Sequence, residues 1–119
     1  MPDGARTRRV AEEFREILGE EILKLKDPRV GFVTVTGVSV TSDLRHALVR
    51  YTVMGDESSR RGTAAALRSA KGHLRRVIGR QVRLKVLPDI EFEEDATIET
   101  ADRIQQLLEQ LHRDERGGA

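Results

Sequence analysis

Lysine and arginine occur nine times between Ser58 and Val86, with no Asp or Glu among them. Cationic groups at that density are suited to holding phosphate, the guanidinium best of all because it offers two parallel N–H donors. Arginine outnumbers lysine by about four to one over the whole chain, although high G+C coding bias also raises arginine. Advancing about 100° per residue, Leu67, Ala70, Leu74, Val77 and Ile78 share one arc of a helix, whereas Arg61, Arg68, Lys71, Arg75 and Arg76 fall on the other side. Arg80 extends the set, Arg83 and Lys85 carry it onward, and Arg8 and Arg9 join it from the N-terminal segment. A solvated helix face is the plainer reading of any charge run. Such a face normally mixes signs and gains i,i+4 pairs of a few tenths of a kcal/mol; this one forgoes every internal acid, which favours a phosphate-contacting surface.

The sign then reverses. From Leu87 to Glu115 ten carboxylates stand against two arginines, so the formal net charge of +1 conceals two opposed fields. Glu91, Glu93, Glu94 and Asp95 are candidates for Mg²⁺, but alternation along a strand would split them between faces. They read instead as a solvated segment that keeps RNA off one side, or as a surface for basic proteins. Acid–base and nucleophilic chemistry have less support. His46, His73 and His112 are solitary, and Ser42, Asp43 and Ser69 lack an evident base or orienting partner, so neither a catalytic set nor a metal site is expected. The absence of cysteine removes disulfides, thiol catalysis and Cys-based zinc sites. No apolar run approaches the ~20 residues that cross a bilayer, and Met1 to Val10 lacks the apolar core of a signal peptide. The expectation is a soluble cytoplasmic protein with no membrane association.

The elements that must position these charges are legible from periodicity. Val10, Phe14, Ile17, Leu18, Ile22 and Leu25 recur at helical spacing, and Asp27-Pro28 ends that helix. Phe32 to Thr41 alternates as a strand whose apolar phase shifts at Gly37, which predicts a bulge or bend there. After a turn at Ser42-Asp43, Ala47, Val49, Tyr51 and Val53 share a face of a second strand, antiparallel to the first. Gly55 to Ser59 offers capping residues for a helical segment from about Arg60 to Arg80. Within it, Ala70-Lys71-Gly72 predicts a junction between two helices, and Gly79 reads as a helix C-terminus. Val82, Leu84 and Val86 alternate with Arg83 and Lys85, so a third, edge strand is expected to run to Glu93 with a break at Pro88. Ile98, Ala101, Ile104, Leu108 and Leu111 predict an amphipathic helix over Thr97 to His112. At 119 residues the chain suits one α+β domain, residues 1–113, followed by a disordered tail over 114–119.

Aromatic side chains are scarce. Phe14, Phe32, Tyr51 and Phe92 all sit in apolar patterns, so a base-stacking sheet is not expected and RNA would be met through backbone and shape. Asp27-Pro28-Arg29, Gly31-Phe32-Val33-Thr34-Val35, Ser42-Asp43-Leu44-Arg45-His46-Ala47, Ala70-Lys71-Gly72, Pro88-Asp89-Ile90-Glu91-Phe92 and Arg103-Ile104, in that order, resemble the ribosome-binding factor A family over roughly residues 6 to 112. The resemblance implies a type II KH fold variant, with an Ala-x-Gly interhelical kink (here Ala70, Lys71 and Gly72) where typical KH domains carry Gly-x-x-Gly. It implies a bacterial, monomeric assembly factor that binds the free or immature small (30S) ribosomal subunit and its 16S rRNA, assists late maturation at the 5′ end, and matters most in the cold. It implies no catalysis and no cofactor. Two other readings remain open: an adaptor that binds protein through the acidic C-terminal helix, and an RNA-processing enzyme of KH-like fold using His73.

Overall fold

Helix α1 (Gly4–Leu23) forms because Val10, Phe14, Leu18 and Ile22 stack four residues apart on one face, and all four are buried. It closes with tightened hydrogen bonds, Lys24 N–H to the Glu21 carbonyl (3.1 Å) and Leu25 N–H to the Ile22 carbonyl (3.2 Å). Asp27 then turns the chain: its carboxylate accepts the Arg29 backbone N–H at 2.9 Å. The structure, a computed structural model, describes residues 4–95 together with Leu108, Glu109 and Leu111. The expected C-terminal helix and tail lie largely outside the described residues.

Strands β1 (Phe32–Val40) and β2 (His46–Met54) pair antiparallel, as the alternation predicts. Val35 lies opposite Tyr51 and Gly37 opposite Arg50, which leaves Thr36 without a partner across the ladder. This is the expected bulge, and it accounts for the change of apolar phase. The Arg50 guanidinium lies over Gly37, where an added Cβ would come within 3.0 Å of it. The turn between the strands holds Leu44 at φ 60°, a sterically costly region for a bulky residue; the side chain is buried in return.

Helix α2 (Glu57–Gln81) is one uninterrupted helix, not two meeting at Gly72. Asp56 caps it by accepting the Ser59 N–H at 2.8 Å. A mid-helix glycine costs about 1 kcal/mol. Leu67 on one side of Gly72 and Leu74 and Ile78 on the other are fully buried, each contributing about 1.5–3 kcal/mol, so tertiary anchorage overrides the local weakness. Gly79 is likewise interior; the helix ends at Gln81, with Val82 extended and its N–H bonded to the Ile78 carbonyl.

Strand β3 (Asp89–Glu94) is shorter than the alternation predicts and pairs parallel to β2, giving the order β1-β2-β3 with β3 at an edge. Residues 82–88 are a loop. The register explains why: Asp89 lies opposite His46, the first residue of β2, so residues before Asp89 would run alongside the turn and find no ladder. Val82 and Leu84 still pack inward while Arg83 and Lys85 point out, which produces alternation without a strand.

Both helices cover one face of the sheet, where Val35, Ala47, Val49, Tyr51 and Ile90 join the helical stripes in a single core. Tyr51 and Phe92 meet edge to face, ring centroids 6.4 Å apart. Phe32, although it sits in an apolar pattern, is 83% exposed, beside Leu23 and Met54. It sits on the outer face of β1, opposite Met54, where only the end of α1 at Leu23 comes near it.

Candidate nucleic-acid interface

The basic helix is anchored by its apolar stripe and by a docking point near its start. Thr63, fully buried, accepts the Gly31 N–H (3.0 Å) and donates to the Arg29 carbonyl (3.3 Å), tying α2 to the turn after α1. Thr63 was not distinguishable in sequence, because a threonine on a helix says nothing of a loop thirty residues away. With α2 fixed in this way, its cations divide between two sides.

On the side facing β3 they are engaged. Arg60 makes a 2.6 Å ion pair with Glu94, and Lys71 Nζ lies 3.2 Å from Glu91. Arg75 donates from Nε to the Pro88 carbonyl (2.9 Å) and from its terminal nitrogen to the Leu87 carbonyl (3.3 Å), with Asp89 at 3.9 Å. Of the acidic residues read as a solvated segment, Glu91, Glu93 and Glu94 therefore belong to strand β3 and Asp95 follows it, and Glu91 and Glu94 neutralise the near flank of α2. Arg75 and Lys71 belong first to the fold.

Arg61, Arg68, Arg76 and Arg80 are exposed, and among the described residues no carboxylate pairs with any of them. Arg61, Arg76 and Arg80 lie round the outer side, whereas Arg68 stands nearly in line with Arg75, close enough to Tyr51 to act on it electrostatically along with Arg60. Arg29 comes up beside this face. Its guanidinium holds Asp27 through a 2.6 Å bond and reaches Ser69 on α2 at 3.4 Å. Hydrogen bonding from the Arg29 side chain, then from its backbone N–H, pulls the Asp27 carboxyl down from 3.8 to about 2. Arg29 escaped notice as a surface residue because Asp27-Pro28-Arg29 carries a stronger local signal, the end of a helix.

The remaining expected contacts lie elsewhere. Arg8 and Arg9 are exposed on the early turns of α1, Arg9 about one turn from Arg6. Arg83 and Lys85 stand in the loop before β3, in a cleft that also takes in Arg6 and Arg45. Ala70, Lys71 and Gly72 lie within α2; a Cβ on Gly72 would meet only the Arg76 guanidinium, at 3.4 Å. His73 faces α1, its Nε2 3.8 Å from Glu21. His46 is exposed at the start of β2, and His112 lies outside the described residues.

The family profile described as Ribosome-binding factor A matches residues 6–108. Ribosome-binding factor A of Geobacter sulfurreducens is 50% identical over 107 residues, covering 89% of this chain and 91% of that one. The crystal structure of ribosome-binding factor A from Thermus thermophilus superposes with a TM-score of 0.67 at 30% identity, over 74% of this chain and 94% of that one. A homology model of the Thermus thermophilus factor, fitted into a cryo-EM map of a 30S complex, superposes with a TM-score of 0.62 at 30% identity, over 72% and 91% of the two chains. The α+β order of elements, the helix-covered three-stranded sheet and the matched sequence agree, and the chain belongs to the ribosome-binding factor A family.

Proposed function

We propose that this protein is a non-catalytic assembly factor that binds the free or immature small ribosomal subunit through rRNA phosphates. The observation that carries the reading is the solvent face of α2, where Arg61, Arg68, Arg76 and Arg80 stand exposed with no carboxylate partner among the described residues, while Arg60 and Lys71 are neutralised by Glu94 and Glu91 of β3. Fixed on a buried helix and bordered by acid on one flank, these groups form a one-sided phosphate surface, and the relative fitted into a 30S map supports the partner. The same reading takes in late 16S rRNA maturation at the 5′ end, a greater need in the cold, a cytoplasmic location and action as a monomer.

Co-sedimentation with purified small subunits over a salt series tests it. With ~6 phosphates neutralised, log affinity should fall against log salt with a slope of about −4 to −5. A slope near zero would remove the phosphate contact and with it this function.

A further inference from the structure

A second group of cations gathers at the far end of the sheet from Phe32. Arg6 from α1, Arg45 from the β1–β2 turn, and Arg83 and Lys85 from the loop before β3 surround a cleft of about 500 Å³. Three distant parts of the chain thus converge on one positive site, and among the described residues none of these four side chains has a carboxylate partner. Asp43, the one acid in the lining, acts on Arg45 through space but spends its hydrogen bonds within the turn. It accepts the Thr41 hydroxyl at 2.7 Å and the Arg45 N–H at 3.1 Å, which lower its pKa and keep it ionised within the turn.

The walls are held before any ligand arrives. On one side Leu44, with positive φ and its side chain in the core, turns Arg45 outward; the Arg45 carbonyl accepts the Asp89 N–H at 2.8 Å. On the other side Val82 and Leu84 pack inward and Arg75 grips the Leu87 and Pro88 carbonyls, so the loop presents Arg83 and Lys85 from a fixed backbone. Four like charges repel unless an anion lies between them. The floor is different in kind: Leu84 is partly buried, and Val86 is left 52% exposed, an apolar surface beside a cationic rim.

We propose that this cleft is a second RNA site, taking the sugar-phosphate backbone of a single-stranded segment, with phosphates against Arg45, Arg83 and Lys85 and a ribose against Val86. Its volume lies in the ~300–1,000 Å³ range of small-ligand sites, which admits a nucleotide. The lining holds no aromatic residue, so bases are not stacked and recognition is by backbone. The inference rests on the phosphate-binding function proposed above and divides it: α2 meets the folded subunit, and the cleft holds a strand.

The test uses the full chain and a fluorescein-labelled single-stranded RNA octamer, read by fluorescence anisotropy over a salt series, with co-sedimentation on small subunits in parallel. The R45E/K85E variant should bind the octamer at least about tenfold more weakly, with a salt slope shallower by about 1 to 2, and should lose more octamer affinity than R68E/R76E, whose larger loss should fall on small subunits. Melting curves for both variants confirm folding, and R45Q/K85Q, which adds no acid, should show a smaller loss in the same direction. The cleft is overturned if the wild-type chain fails to bind the octamer up to about 1 mM, or if R45E/K85E binds it as wild type does. If R68E/R76E still releases small subunits in that case, the function stands without the cleft; if neither variant alters subunit binding, the function falls as well.

Discussion

Arg75 and Arg76 are adjacent and chemically identical, yet α2 gives them different work. Arg75 points toward β3 and donates to two carbonyls of the preceding loop, whereas Arg76, a further 100° around the helix, is exposed with no carboxylate beside it among the described residues. The same split separates Arg60 and Lys71, which pair with Glu94 and Glu91, from Arg61 and Arg68, which do not. What leaves an arginine unengaged is therefore its place on the helix, both its angle and its distance along the axis, relative to the acidic edge strand and the loop before it. A count of positive charges misses this, because it gives the engaged and the available groups equal weight.

The largest effect should come from reversing the available set. R61E/R68E/R76E should lower affinity for small subunits on the order of 100-fold at physiological salt, from the loss of three phosphate contacts, and flatten the salt slope by about 2 to 3. Thermal melting should stay near wild type, since these side chains carry no internal contact that folding needs. Retention of full binding by the triple variant, measured by co-sedimentation, would erase the distinction between the two sides of the helix.

Next in size is the stability cost on the engaged side. Arg75→Ala should destabilise the chain by about 1–2 kcal/mol in urea denaturation, because it frees the loop whose carbonyls it holds, while Arg76→Ala should stay within about 0.5 kcal/mol. Equal costs for the two would mean that the Arg75 contacts contribute nothing to the fold.

Much of this architecture is legible in sequence where the signal is local. Val10, Phe14, Leu18 and Ile22 announce their helix, the phase change around Gly37 announces its bulge, and Asp56 caps α2 from the segment that predicts capping. The failures share a cause. The alternation of Val82 and Leu84 with Arg83 and Lys85 reports which side chains point inward, but a strand also needs a ladder partner, and the register with β2 withholds one before Asp89. Gly72 weakens α2 locally, whereas the burial that keeps the helix continuous through it comes from contacts with distant residues. The same holds for the site. Sorting of charge on α2 follows from helical period, but pairing with Glu91 and Glu94, and the meeting of Arg6 and Arg45 with Lys85, depend on how the strands pair and are invisible until the chain folds.

The two glycines of α2 extend the comparison to the backbone. At Gly72 an alanine Cβ would meet only the movable end of Arg76, so Gly72→Ala should raise stability by about 0.5–1 kcal/mol through helix propensity alone. At Gly79 a Cβ would lie 2.5 Å from Leu87 Cδ2, the residue that folds the loop back over the helix end. Gly79→Ala should therefore forfeit the propensity gain and destabilise by about 1 kcal/mol as Leu87 is displaced. Chemical denaturation of the two variants side by side reads the difference, and a gain at both positions would show that the loop does not press on the helix.

The smallest effect belongs to Arg29, a cation neutralised by its own neighbour two residues back. Because the Asp27 carboxyl is lowered from 3.8 to about 2 in the folded chain, its ionised form stabilises the fold above about pH 4, and that contribution is lost as pH falls through about 2. Both partners are solvent-accessible, so the effect is small and should shrink further with added salt. Asp27→Asn should lower the melting temperature slightly at neutral pH, and the two melting curves should converge as acid protonates the wild-type carboxylate. The substitution also frees the Arg29 guanidinium beside Ser69, so the variant should bind small subunits slightly more tightly than wild type. A loss of binding would instead mean that the Asp27 turn, and not a free charge at Arg29, is what that edge of the interface requires.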